Sequence, residues 1–397
     1  MQVLPHFDAD YTGYASVAQA AERSLGKGEV TSSSLVGSST KPAWAYSFAG
    51  FSLRMVHNMK MIPFGKTGMT VSATGFGAIP IQRITAEEST QILRKAYDAG
   101  ITFFDTARGY TDSEEKIGIA LSSVREKITI TTKTHARSYD EVMKDLHTSL
   151  SMLKTDYIDV YQLHNPGFIP VPGDESRLYD AVSDAKKAGK IRHIGITNHR
   201  FDLANKAIDS GLYESLQFPL SCISSEEDLQ LAKKCESAGI GFIAMKALAG
   251  GLITNAKAAF AYLRQYENVV PIWGVQHMHE LDEFIALEND PPPLDDEMLA
   301  SIEKDRKELS GSFCRGCGYC LPCPAEIPIP TAARLSFMMG RSRYERFLED
   351  DWAAQMERIN DCRQCGHCKE HCPYGLDTPE VLKTQYEKYT AFRKAHL

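Results

Sequence analysis

Ile101-Thr102-Phe103-Phe104 runs apolar on successive positions and stops at Asp105-Thr106. A strand wetted on one side alternates apolar with polar; one apolar throughout is covered on both faces, as in a parallel sheet. Gly241-Phe242-Ile243-Ala244-Met245 has the same character. Between such runs lie amphipathic segments with helix punctuation. The first spans 86–99, with Thr85 as N-cap, Glu88 three residues on and Gly100 as stop. The unit then recurs. Strands are predicted at 128–133, 157–164, 191–197, 216–220, 241–246 and 269–273, and helices at 113–122, 139–153, 177–188, 201–210, 225–238, 257–266 and 279–287. With Gly75-Phe76-Gly77 as the first strand, eight strands each precede a helix, the order and size of a (β/α)8 TIM barrel. A hairpin over 61–74, turning at Gly65-Lys66-Thr67-Gly68, comes before it. The structural alternative, a doubly wound sheet, would carry G-x-G-x-x-G after its first strand; Gly75-Phe76-Gly77-Ala78-Ile79-Pro80 fails that pattern. Lys60 stands where a P-loop needs its first glycine.

The 397 residues divide into four regions: a loosely ordered N-terminal extension over 1–58, the barrel over 59–290, a linker over 291–313 and a cysteine region over 314–397. The extension has Ser-rich patches and no sustained period, and a natural start near Met59 is one reading of the change in composition there. Lys plus Arg number 44 and Asp plus Glu 51, a net charge of −7, which argues against a nucleic-acid binder. No run of about 18 apolar residues is present, so no membrane span is expected. Nor does the N-terminus read as a secretory signal. Ten cysteines in such a chain read as ligands in a reducing, cytoplasmic setting rather than as disulfides.

Chemistry in a barrel sits at the C-terminal strand ends. Those ends supply Asp105, then Tyr110 five residues on, then Lys133, then His164. A carbonyl that accepts hydride becomes an alkoxide and needs a proton. Tyr110 can give it, an adjacent Lys133 ammonium would lower the phenol's pKa, Asp105 would hold the lysine, and His164 would orient the substrate oxygen. Singly, each has a structural explanation: a cap, packing, a structural ion pair, a core histidine. Together, at consecutive strand ends, they point to catalysis.

Over 61–290 the chain resembles the aldo-keto reductases. The resemblance rests on Gly65-Lys66-Thr67-Gly68, Phe104-Asp105-Thr106-Ala107-Arg108-Gly109-Tyr110, Thr132-Lys133-Thr134, Leu163-His164, Gly195-Ile196-Thr197-Asn198 and Met245-Lys246 with Gly250-Gly251. It implies an NADPH- or NADH-dependent reductase of a small-molecule carbonyl, with Asp105, Tyr110, Lys133 and His164 as catalytic tetrad. It implies that Asn198 and Gln217 hold the nicotinamide carboxamide and that Thr197, Lys246, Gly251 and Gly274 complete the cofactor site. Two departures stand out. Leu220 or Phe218 stands where the family usually has an aromatic residue stacking on the nicotinamide, and the loop 273–280 lacks the Lys or Arg that in many members clamps a 2′-phosphate.

The tail holds two cysteine runs. Cys314, Cys317, Cys320 and Cys323 are each two residues apart and end in Pro324; Cys362, Cys365, Cys368 and Cys372 follow the bacterial ferredoxin spacing and end in Pro373. In two-cluster ferredoxins the fourth cysteine serves the other cluster. By that logic Cys372 joins Cys314, Cys317 and Cys320 at one [4Fe–4S] cluster, and Cys323 joins Cys362, Cys365 and Cys368 at the second. The first run is one residue short before Cys323, so that assignment is the least constrained. Zinc is the alternative for C-x2-C pairs. Cys222 and Cys235 read as buried thiols, and His277 with His279 as too few donors for a metal. The tail resembles the mainly α-helical, ferredoxin-like module of an iron–sulfur branch of the aldo-keto reductases. Its clusters would exchange electrons with a redox partner protein or staple a docking domain. A rival reading makes the barrel a degenerate nucleotide-binding scaffold for that module.

Overall fold

In the computed structural model, which describes residues 59–309, 313–341 and 344–397, eight parallel strands close a barrel. The extension over 1–58 lies outside the described residues. Strands β1 (Met61–Pro63) and β2 (Thr70–Ser72) form the expected antiparallel hairpin. The barrel strands follow in chain order: β3 (Gly75–Gly77), β4 (Phe103–Asp105), β5 (Thr129–Thr134), β6 (Ile158–His164), β7 (Ile191–Thr197), β8 (Ser215–Pro219), β9 (Gly241–Met245) and β10 (Val269–Gly274), the last pairing with the first. The outer helices are α1 (Ala86–Asp98), α2 (Ser113–Leu121), α3 (Tyr139–Leu153), α4 (Leu178–Lys187), α5 (Phe201–Ser210), α6 (Glu226–Ala238), α7 (Ala256–Leu263) and α8 (Met278–Asn289). This is the order that the apolar strands and helix caps predict.

Local chemistry explains the boundaries. Thr85 and Glu88 close a reciprocal capping box on α1, and Ser225 with Asp228 does the same on α6. Gly211 and Gly239 end α5 and α6 with positive φ, where a side chain would be strained. The hairpin plugs the N-terminal end of the barrel: Phe64 and Val71 pack with Phe103, Val160 and Ile243. A Cβ on Gly241 would lie 2.5 Å from the Phe64 ring, so the plug depends on that glycine.

Helix α9 (Asp296–Glu308) lies between barrel and cysteine region and sends Met298 and Ile302 into the barrel's outer core. The cysteine region holds α10 (Ile329–Ala332), α11 (Leu335–Arg341), α12 (Asp350–Glu357), α13 (His367–Glu370) and the long α14 (Thr378–His396). Leu382 and Tyr389 of α14 pack with Ile327, Leu335, Phe347 and Met356, giving the region its own small core. Among the described residues, no helix is long and apolar enough to cross a membrane.

One polar network centres on a buried carboxylate of β6. The Asp159 carboxylate on β6 accepts hydrogen bonds from Arg125 Nη2 at 2.6 Å, Ile130 N at 2.9 Å and Arg192 Nη1 at 3.0 Å, and is 1% exposed. Removing it strands a buried guanidinium and an orphaned backbone N–H. Asp159→Ala is predicted to cost about 3–5 kcal/mol, read as a lower urea midpoint at unchanged m-value.

Candidate active site

The predicted tetrad converges on the C-terminal rim. Asp105 ends β4, Lys133 is the penultimate residue of β5, and His164 ends β6. Inward alternation carries Lys133 into the barrel, where its Nζ donates to Asp105 Oδ2 at 2.6 Å and to Thr106 O at 2.7 Å. Asp105 also accepts from Thr131 Oγ1 at 2.6 Å, Gln162 Nε2 at 3.4 Å and Gln217 Nε2 at 3.3 Å. The lysine and aspartate are 1% and 2% exposed.

Tyr110 sits on the loop after β4, and that loop is fixed at several points. Arg108 N donates to Lys133 O at 2.9 Å, Ser113 N to Tyr110 O at 2.8 Å, and Arg108 pairs with buried Glu114. The Lys133 ammonium lies 5.2 Å from the Tyr110 ring centroid, and the ring meets His164 edge-on at 6.2 Å. Backbone strain gathers here too. Thr111, Asn165 and Lys246, each one residue past a rim element or tetrad member, have φ of 39°, 54° and 60°. Such conformations are uncommon outside glycine and cluster at functional sites.

The expected acidification of Tyr110 is not seen. Burial first, then the Asp105 and Tyr319 charges, push the phenol well above its usual value. Lys133 spends its charge on Asp105 and a carbonyl oxygen, while burial lowers its own pKa. Tyr110 therefore remains protonated at neutral pH. His164 is held well below the ordinary histidine value, by burial first and then by His135 and Lys133. Its ring stacks on His135 at 3.8 Å, and its Nδ1 is buried without a hydrogen-bond partner.

The residues expected at a nicotinamide cofactor spread along the adjoining rim. Thr197 and Gln217 are register partners on β7 and β8. The Thr197 hydroxyl accepts from Asn165 N at 3.0 Å. Asn198 Nδ2 donates to Pro166 O at 3.1 Å and its Oδ1 accepts from Arg200 N at 2.9 Å. Gln217 joins the Asp105 network and accepts from Gln162 at 3.1 Å. Both amides thus already have protein partners. Phe218 and Leu220 are buried in the outer core. Gly274 ends β10 against Pro80, and Gly251 lies in the loop after β9 with open space where a Cβ would be. Lys246 lines a narrow cleft with Ser221, Ser224 and Arg315. Two cations beside hydroxyls have the chemistry that suits a phosphate.

The eight tail cysteines line two neighbouring cavities. Cys314, Cys317 and Cys372 line only the first; Cys323, Cys362 and Cys365 line only the second; Cys320 and Cys368 border both. Ile329, Ala333 and Leu376 add apolar wall to the first, and Ile327 and Leu382 to the second. Among the described residues no three donors converge closely enough for a single ion. Thiols ringing an apolar cavity fit a cluster better than zinc, whose four ligands meet at about 2.3 Å from one point. Cys222 and Cys235 lie elsewhere, buried, with thiols pushed up to about 12.

Residues 73–261 match the aldo/keto reductase family, and residues 313–377 match the 4Fe-4S dicluster domain. The chain belongs to the aldo/keto reductase family. It is 32% identical over 210 residues to L-galactose dehydrogenase of Arabidopsis thaliana, covering 48% of this chain and 66% of that one. It is 31% identical over 158 residues to 6-dehydroglucose reductase of Novosphingobium aromaticivorans, covering 35% and 51%. The chain thus spans about half to two thirds of the length of these relatives. The Klebsiella pneumoniae aldo-keto reductase solved in complex with NADPH shares the fold at a TM-score of 0.54 and 22% identity, covering 62% of this chain and 94% of that one.

The aldo/keto reductase barrel also carries site neighbours that sequence reasoning passed over. Gln162 lies two residues before His164, at the inward period of β6, and that period was its signal. His135, His199, Tyr319 and Tyr374 had none, because their meeting is tertiary. The Tyr374 hydroxyl and His199 Nδ1 are hydrogen-bonded at 2.5 Å.

His135, His164 and His199 are all held below the ordinary value by burial, His199 to about 3. Unfolding frees them to bind protons below about pH 6.5, which the folded chain resists, so stability rises with pH through that region and is lost as pH falls. Each contributes at most about 1.4 kcal/mol per pH unit. Urea midpoints at pH 7.5 and 5.5 should show the loss, and His199→Phe should reduce it.

Proposed function

We propose that this protein is a carbonyl reductase that uses NADPH or NADH at the barrel rim and carries two [4Fe–4S] clusters in its tail. The convergence of Asp105, Tyr110, Lys133 and His164 on one rim carries the reading. A bound nicotinamide would supply hydride to the carbonyl carbon, with Lys246, Gly251 and Gly274 along its phosphates, and Thr197, Asn198 and Gln217 at its carboxamide end. Gln217 would have to release Asp105 to serve there.

The chain's own residues do the rest. His164, neutral and held in place by His135, donates a hydrogen bond to the carbonyl oxygen and fixes its direction. Tyr110 gives its proton as negative charge develops on that oxygen, because an alkoxide is a far stronger base than a phenolate. Lys133, held by Asp105, positions the Tyr110 ring, whose centroid lies 5.2 Å from its ammonium. A protonated Tyr110 suits this direction, since it needs no prior proton uptake.

In the tail, Cys314, Cys317, Cys320 and Cys372 would hold one cluster and Cys323, Cys362, Cys365 and Cys368 the other. The two cavities support this crossed ligation. Clusters of this kind pass single electrons, so a redox partner protein is the expected counterpart, and their thiolates suit a reducing cytoplasm. The substrate is a small-molecule aldehyde or ketone.

Tyr110→Phe is predicted to lower carbonyl reduction by about 10²–10³ or more while circular dichroism and iron content are unchanged. Unaltered turnover would remove Tyr110 as the donor. Protein purified without oxygen should carry about eight irons, as two cubes require. Four would take Cys323 and its partners off the ligand set, and stoichiometric zinc would replace the cluster assignment.

A further inference from the structure

The barrel site has a roof that comes from the iron–sulfur region. Tyr319 lies between Cys317 and Cys320 in sequence, so its backbone belongs to the loop that lines the first cysteine cavity. Its ring nevertheless points at the barrel. It meets His164 at 6.2 Å, His135 at 6.2 Å and His199 at 5.3 Å between centroids, edge to face in each case. Rings at these separations and angles are in direct contact. No planar group passes between Tyr319 and the imidazoles that flank the carbonyl position.

The roof is fastened on both sides of the contact. The Tyr374 hydroxyl bonds His199, and the Arg315 guanidinium lies 5.2 Å over the Tyr374 ring. Arg334 Nη1 donates to Gly250 O at 2.9 Å, on the loop after β9. Tyr110, His164 and Tyr319 all retain some exposed surface, so solvent reaches the rim beneath the roof. Tyr319 thus borders the position that a substrate in contact with His164 would take.

We propose that Tyr319 is a specificity-determining residue of the barrel site, contacting the substrate from the iron–sulfur region and admitting compact, unbranched carbonyl compounds over those with a ring beside the carbonyl. This rests on the carbonyl-reductase reading above. It also makes one loop serve two sites, since the cysteines on either side of Tyr319 are proposed cluster ligands.

The test uses the full-length, anaerobically purified holoprotein and its Tyr319→Ala and Tyr319→Trp variants. For each, kcat and KM are measured for propanal, hexanal and benzaldehyde, together with iron content and the electron paramagnetic resonance of the reduced clusters. A wall that contacts substrate sets selectivity by about 10–200-fold per group admitted or excluded. Tyr319→Ala should raise the benzaldehyde-to-propanal ratio of kcat/KM by about tenfold or more, and Tyr319→Trp should lower the hexanal-to-propanal ratio, both at wild-type iron content. An unchanged size ranking in both variants overturns the inference and leaves the reductase reading standing. If the alanine variant loses iron, the tryptophan variant decides alone. If the wild type turns over no carbonyl, the reductase reading fails. A change in the reduced-cluster signal on adding propanal, absent in Tyr319→Ala, would then still support the contact, and no such change would overturn it as well.

Discussion

One ammonium inside the barrel organises the rim. Lys133 Nζ sits between the Asp105 carboxylate at 2.6 Å and the Thr106 carbonyl at 2.7 Å, away from solvent. Taking such a pair out of water is costly, and it is sustained only where the remaining lone pairs are also satisfied. Thr131, Gln162 and Gln217 donate to the carboxylate and do this. These donors come from β5, β6 and β8, so the pair ties β4 to its neighbours β5 and β6 and to β8 across the barrel. Closure of the sheet and burial of the charge are thus one constraint: without the register, the carboxylate would lack donors, and without the carboxylate, Lys133 would be an unpaired buried cation.

That constraint also explains why Tyr110 is not acidified. An ammonium lowers a neighbouring phenol's pKa only with charge it has to offer, and here a closer carboxylate takes it. Burial and Asp105 act in the opposite direction, both favouring the neutral phenol. The group is thereby kept a neutral phenol, the form that the proposed proton donor requires, rather than a standing phenolate. Such a donor acts when charge appears on the substrate, the moment at which interactions accelerate a reaction rather than merely bind its reactant.

Local patterns in the sequence report the barrel faithfully. Doubly apolar strands such as 101–104, the Thr85–Glu88 box and the glycine stops are properties of neighbouring residues, and the structure places each element within a few residues of its expected position. The tetrad was legible for the same reason, because strand ends in a barrel share one rim. The cysteine pairing proposed from spacing is compatible with the thiols that line each cavity. What the sequence withheld lies between modules. Nothing local to Tyr319 announces His164, some 155 residues earlier, and nothing near Tyr374 announces His199. Nor could spacing reveal that the Asn198 and Gln217 amides are bonded within the protein, because that depends on which acceptors the loops bring within reach.

The contact between the iron–sulfur region and the rim gives the tail a part in shaping the site, whichever electrons its clusters carry. A barrel presents its chemistry on loops, and loops alone hold a substrate loosely unless something rigid backs them. Here the backing is a segment flanked by cysteines at both ends, with Arg334 and Tyr374 fastening its neighbours to the β9 loop and to His199. Four thiols joined through one inorganic core would fix the backbone at several points at once, much as a structural metal fixes a small domain. On the proposed ligation, the position of the Tyr319 ring would depend on the integrity of the first cluster, and so would the geometry of the proposed site beneath it. Ligation of that kind would couple the state of the iron to the shape of the rim without requiring an electron to cross between them.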